Sequence, residues 1–291
     1  MRSPNFWGMA VRAPSGDVEL RAEPFRSVTR KSKLFRLPII RGALSLGETL
    51  WLGMKALTLS TNIALGEEED LSKKEIAGTL LFALVLGFGL FLVAPVFATK
   101  GLGALAGTGI ENPILFNLIE GAIRIGIFIL YIVGITWASK DIKRFFAYHG
   151  AEHKAIKVYE RGEELVPENS HKLDTSHVRC GTSFVLYVLV LSILVFSLLG
   201  VEGWLYMLAS RVVVIPLVAG IAFEFIMWSA RNEKSPLVKV LVWPGLQMQR
   251  LTTREPTDDM VEVAMASLKK VLSMEEQAKI EPNEATNKLV I

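Results

Sequence analysis

His149, His153, His171, His177 and Cys180 are all the histidines and the only cysteine of a 291-residue chain, and they fall within 32 consecutive positions. Inside that window His149-Gly150-Ala151-Glu152-His153 fits the H-x-x-E-H pattern. On a helix the i,i+4 spacing puts both imidazoles on one face, at a separation that one metal ion can bridge. Neutral imidazole is a common zinc ligand. Downstream, His177 and Cys180 stand at i,i+3, so a helix that begins one turn ahead of the following apolar run presents a second N/S pair to the first. His149, His153, His177 and Cys180 then make a four-ligand set suited to zinc. Asp174 is an outer partner or an alternative ligand, and His171, between Ser170 and Lys172, is a poorer candidate.

Glu152 lies between the two ligands of the motif, where a carboxylate either acts as general base toward water or orients its neighbour. Four protein ligands close a zinc site for a structural role, whereas an enzyme keeps one position open. Spacing alone therefore leaves catalysis and structure both standing, beside the plainer reading of solvated histidines near a membrane surface. Gly150 works against the helix by about 1 kcal/mol relative to Ala.

The elements that must position these residues are mostly apolar. The chain is 51% hydrophobic with a mean hydropathy of +0.38, which excludes a disordered polymer and an ordinary soluble domain. A net charge of +3 from 32 basic and 29 acidic residues gives no reason to expect a nucleic-acid partner. One cysteine makes no intramolecular disulfide, which suits a reducing compartment. The first 20 residues carry charges and turn formers instead of the apolar core of a cleavable signal.

Residues 6–11 and 18–20 flank Ala13-Pro14-Ser15-Gly16-Asp17 and predict a hairpin. An amphipathic segment from Pro38 to Leu52, carrying Arg41 and Glu48, suits the membrane interface. Residues 76–99 are uncharged throughout, and about 20 apolar residues suffice to span a bilayer. Residues 114–138, 180–201 and 204–230 give three further predicted spans. Glu120 and Arg124 are spaced to meet on one helix face. With Arg211 and Glu224 they suit internal ion pairs better than a transport path. Past residue 230, Trp243-Pro244-Gly245 reads as a turn, residues 257–272 as an amphipathic helix, and the chain from Glu275 on as a frayed tail.

Residues 1–75 hold 12 Lys and Arg, residues 139–180 hold 8, and the segment after 230 holds 9. By the positive-inside rule both termini and the histidine loop are cytoplasmic. The expected fold is an all-α integral membrane protein with four transmembrane helices, an interfacial amphipathic helix and a small N-terminal β-hairpin. Its segments are a hairpin at 1–33, the interfacial helix and linker at 34–75, and spans one and two at 76–138. The loop with the metal site follows at 139–179, then spans three and four at 180–230 and a C-terminal segment at 231–291.

Several motifs in this order resemble the YqhQ-like family of bacterial multi-pass membrane proteins over nearly the whole chain. They are Met1-Arg2-Ser3-Pro4-Asn5, Tyr148-His149-Gly150-Ala151-Glu152-His153-Lys154, Arg179-Cys180-Gly181-Thr182-Ser183-Phe184, Pro244-Gly245-Leu246-Gln247 and Leu251-Thr252-Thr253-Arg254-Glu255-Pro256. The resemblance implies a bacterial cytoplasmic membrane and a metal-dependent enzyme activity that rests on the same histidine motif. Matched position by position, it carries His149, Glu152, His153, His177, Arg179 and Cys180, and not His171. Val178 stands where the family commonly has Pro, and relatives carry a Gly-rich stretch ahead of the point where this sequence starts.

The expectation is a zinc-dependent membrane hydrolase with Glu152 as general base. The alternative is a scaffold with a structural metal, acting with translocation or membrane-protein assembly machinery. The partners to expect are the lipid bilayer and a membrane protein or a second copy of the chain.

Overall fold

The turn residues near Gly16 fold the N-terminal segment back on itself. In the computed structural model, which describes residues 1–65, 73–107, 110–198 and 203–280, β1 (Phe6–Arg12) pairs antiparallel with β2 (Val18–Pro24). Gly16 takes φ +93°, open to a residue without Cβ. The remaining regular structure is helical: α1 (Ile40–Leu65), α2 (Lys73–Phe88), α3 (Ala94–Leu105), α4 (Pro113–Ala138), α5 (Lys140–Glu160), α6 (Gly181–Ser197), α7 (Trp204–Arg231), α8 (Pro236–Thr252) and α9 (Asp258–Ile280), with short 3-10 turns between.

Among the described residues, three stretches are long and apolar enough to cross a bilayer: Ala77–Leu105, Pro113–Ala138 and Ala209–Arg231. The first joins α2 to α3 through a π-helical turn at Gly89–Val93. That wider turn stands just before Pro95, which has no N–H for an i−4 carbonyl and whose ring crowds it. Leu84, Leu130 and Val213 on these helices are 70% exposed or more, so their outer faces form an apolar surface.

Four such helices are expected from the sequence, and among the described residues three meet the length and apolarity of a span. The run expected at residues 180–201 is described as a 17-residue helix, about 26 Å at 1.5 Å per residue, short of a hydrocarbon core of roughly 30 Å. Its expected end, at residues 199–201, lies outside the described residues. Its start is displaced as well: Cys180 has extended dihedrals and serves as the N-cap of α6, so His177 and Cys180 do not share a helix face.

The expected Trp243-Pro244-Gly245 turn is also absent, because α8 runs straight through it. Buried Val238, Val242, Gly245, Gln249 and Thr252 repeat at helical spacing, and docking this stripe on α6 outweighs the turn preference of Pro-Gly. Gly245 permits the approach: a Cβ there would stand 2.5 Å from the Tyr187 hydroxyl.

Two further layers frame the centre. α1 lies against α7 where Gly42 faces Gly220 and Arg41 bonds Glu224 at 2.5 Å. α5 packs on α9 through Ala151, Ala155, Val158, Val261 and Met265. The expected frayed tail is corrected in its first part, since α9 continues to Ile280. Glu275 in it accepts hydrogen bonds from Ser3 Oγ at 2.7 Å and Asn5 Nδ2 at 2.6 Å. Residues 281–291 lie outside the described residues.

Candidate metal centre

α4 ends at Ala138, and Ser139 caps a new helix, its hydroxyl accepting from the Ile142 N–H. That helix, α5, carries the H-x-x-E-H motif on a continuous turn. The His149 and His153 rings come within 4.5 Å, centroid to centroid. Gly150, the local objection to a helix here, has a packing reason: a Cβ would collide with the backbone carbonyl of Arg254. The strand of chain after α8 crosses α5 at this point, and the Arg254 N–H donates to the Phe146 carbonyl at 2.9 Å.

Both imidazoles are gripped from behind. His149 Nδ1–H donates to the Thr252 carbonyl at 2.8 Å and His153 Nδ1–H to the Thr175 carbonyl at 2.6 Å. The Thr252 carbonyl belongs to the last turn of α8, where helix carbonyls have no partner further along the helix. With Nδ1 taken up by a carbonyl, each ring turns Nε2 inward, the nitrogen that ligates a metal once its proton has left, and such backing is typical of metal-ligating histidine. Cys180 Sγ stands 3.3 Å from His149 Nε2. One ligand atom from each of His149, His153 and Cys180 lies within 4.8 Å of the other two.

The thiol is poised to ionise. Burial alone would raise its pKa, but hydrogen bonding and charge from His149 and His153 outweigh this and bring it down to about 5. Its place at the start of α6, accepting from the Thr182 N–H at 3.4 Å, favours the thiolate independently. For His149 burial pulls the pKa down, and the Cys180 thiolate more than compensates, so the net shift is upward.

His177 is not brought into this group. Its Nδ1 accepts from the Arg179 N–H and its Nε2–H donates to Glu160, both at 3.3 Å. Burial, helped by the charges of His153 and Lys157, pushes its pKa down to about 4. The ring therefore stands neutral beside the centre, 5.6 Å from that of His153. Asp174 is turned away, accepting from Lys157 at 2.8 Å and capping the Ser176 N–H. His171 is exposed and donates to Asp258 at 2.9 Å. Glu152 is exposed on the wall of a cavity of about 500 Å³ that His149, His153 and Cys180 also line.

Spacing gave no hint of the residues that hold this wall. Gln249, buried in α8, accepts from the His177 N–H and donates to the His177 carbonyl and to Ser183 Oγ, each at 2.7 Å. Thr175 and Thr252 act through backbone carbonyls, which no side-chain pattern advertises. The sequence signal nearest to them is the Leu251–Pro256 motif, whose Lys154–Glu255 ion pair and Gly150 contact tie α8 to α5.

Two imidazole nitrogens and a thiolate are donors matched to zinc. The class so defined is a helical protein with, among the described residues, three apolar helices of bilayer length and a partly buried His-His-Cys cluster just past the end of one of them. The chain belongs to the family described as "Protein of unknown function (DUF1385)", whose model matches residues 37–274. It is similar to "Uncharacterized protein YqhQ" of Bacillus subtilis (strain 168), with 30% identity over 283 residues covering 91% of this chain and 86% of that protein. No solved structure matches it.

Proposed function

We propose that this chain is a zinc-dependent hydrolase of the bacterial cytoplasmic membrane, working at the cytoplasmic surface. One observation carries the reading: three donors, not four, converge beside an open cavity, and a carboxylate stands on that cavity's wall. Three protein ligands with one position free is the pattern of catalytic zinc. His149, His153 and Cys180 would hold the ion, which supplies Lewis acidity toward water and toward the substrate's acyl or phosphoryl oxygen. Glu152 takes the proton from attacking water and returns it to the leaving group. Thr175 and Thr252 fix the two rings, and Gln249 fixes the loop that brings Cys180 into place.

The membrane part rests on the three long apolar helices and on α6, which runs to the same depth as α4. Asn117, near the start of α4, donates to the Phe196 carbonyl near the end of α6 at 2.9 Å. With α6 taken as a shorter crossing beside the three, the basic segments and the cluster fall on one side of the bilayer, the cytoplasmic one.

The test uses protein purified in lipid nanodiscs, titrated with Co(II) and assayed on 4-nitrophenyl acetate. Wild type should show tetrahedral d–d bands and a thiolate charge-transfer band, and hydrolyse the ester. The His149→Ala, His153→Ala double variant should lose both signals. Glu152→Gln should keep the spectrum and lose hydrolysis by about 10²-fold or more. An unchanged spectrum in the double variant would sink the metal, and an unimpaired Glu152→Gln would sink the base.

A scaffold with a structural metal draws support from one feature: the donors and their shell join α5, the segment before α6 and the end of α8. In that case a chelator lowers the unfolding temperature and Glu152→Gln changes nothing.

A further inference from the structure

α8 carries apolar residues on two faces, and only one of them is buried in the protein. Val238, Val242, Gly245, Met248 and Gln249 face inward. On the other side Leu237, Val240, Leu241 and Trp243 are 63, 70, 42 and 60% exposed. Such a face has no reason to meet water, and three features of its surroundings say what covers it.

The first is level. Within α8, Val242 and Gly245 meet Tyr187 and Ser183, and Gln249 reaches both Ser183 and His177. The helix therefore crosses α6 at its N-terminal end. Ala230 at the end of α7 and Leu246 of α8 line one cavity with Val178 and Arg179, so α8 sits where α6 begins and α7 ends. The second is continuity: Trp228 of α7 and Trp137 at the end of α4 are 44 and 84% exposed at the same end of their helices. The third is residue chemistry. Lys239 shares the outer side with Trp243, and Arg231, Lys234 and Arg250 are exposed around it. Trp and basic side chains are the residues that settle at anionic headgroups while apolar neighbours enter the acyl region.

We infer that α8 lies in the plane of the cytoplasmic leaflet, with Leu237, Val240 and Leu241 on acyl chains and Trp243 and Lys239 among the headgroups. The bilayer then buttresses the helix whose last turns supply the Gln249 clamp and the Thr252 carbonyl to the metal centre. This rests on the membrane reading above, and it adds a helix that does not span.

Spin labels decide it. In a Cys180→Ser background, single cysteines replace Leu237, Lys239, Val240, Leu241, Trp243 and Arg250 in nanodiscs containing phosphatidylglycerol. Labels at Leu84 and Leu130 report the bilayer itself. The expected result is that positions 237, 240 and 241 are several-fold more accessible to dissolved oxygen than to a water-soluble nickel chelate, with 239 and 250 reversed. Where the cysteine background loosens the fold, wild type keeps the question open to measurement: brominated phosphatidylglycerol should quench the emission difference between wild type and Trp243→Phe. Chelate-accessible labels along the whole outer face overturn the inference, as does spin–spin broadening there, which would make the face a contact with a second copy. If 84 and 130 report lipid and α8 does not, the inference alone fails. If none reports lipid, the membrane reading falls with it.

Discussion

Glu120, Arg124 and Arg211 meet between α4 and α7 as opposite charges that pair with one another, whereas His149 and His153 meet Cys180 with their rings held from behind. In the first cluster the Glu120 carboxylate bonds the Arg124 guanidinium one turn away and stands 3.5 Å from that of Arg211. Arg211 also donates to Asn117 Oδ1 at 3.3 Å, and both guanidinium groups lie over the Phe196 ring. In the second, the Nδ1 protons go outward to backbone carbonyls and one ligand atom of each residue faces inward to a shared space. A polar cluster that locks a bundle aims its donors at its own acceptors. One that receives a ligand aims acceptors at a common point and needs backbone behind them. Glu224 makes an internal ion pair of its own, with Arg41 of α1.

The comparison breaks most visibly at Glu120. Glu120→Gln leaves two buried guanidinium groups without their shared carboxylate, and losing one partner of a buried charge group costs about 3–5 kcal/mol. The unfolding temperature should fall on the order of 10 °C, with the Co(II) spectrum of the surviving folded protein unchanged. An unaltered melting curve would mean that this cluster does not lock the bundle.

Gly150→Ala sharpens the other side. In an ordinary helix this substitution stabilises by about 1 kcal/mol. Here the added Cβ meets the Arg254 carbonyl, which is backbone and moves only if the segment after α8 moves with it. The expected sign is therefore reversed, a loss of roughly 1–3 kcal/mol. It should come with weaker Co(II) binding, because the displaced segment begins at the Thr252 carbonyl that holds His149. A stabilised variant with wild-type metal affinity would refute the coupling.

How much of this was legible follows from what each feature is made of. The hairpin and the long apolar helices are local patterns, and the chain states them outright: alternation around Pro14–Gly16, and runs such as residues 76–99 without a charge. The i,i+4 geometry of His149 and His153 is local as well. The separation of His177 from Cys180 was hidden in one residue's dihedrals. Cys180 looked like the first turn of an apolar helix but is its cap, and the Asp174-Thr175-Ser176 loop chemistry just before it was the available warning. Gln249 and Thr252 act across 72 and 103 positions of sequence, through an amide and a backbone carbonyl that have no motif. α8 was missed because Pro244-Gly245 is a strong local turn signal, and only packing on α6 shows why it loses.

His177→Ala carries the smallest effect and bears most directly on whether the site is open. Were His177 a fourth ligand, its loss would remove a metal bond and affinity would fall by far more than a positioning residue contributes. In this structure both its nitrogens are engaged, one with the Arg179 N–H and the other with Glu160, and its backbone is held by Gln249 whatever its side chain. The expected loss in Co(II) affinity is less than about tenfold, at or below the low end for groups that merely support ligands. The d–d bands should keep their energies. His171→Ala, on an exposed residue paired with Asp258, should leave affinity unchanged and sets the baseline. A collapse of affinity in His177→Ala alone would close the fourth position and move the balance from hydrolase to structural zinc.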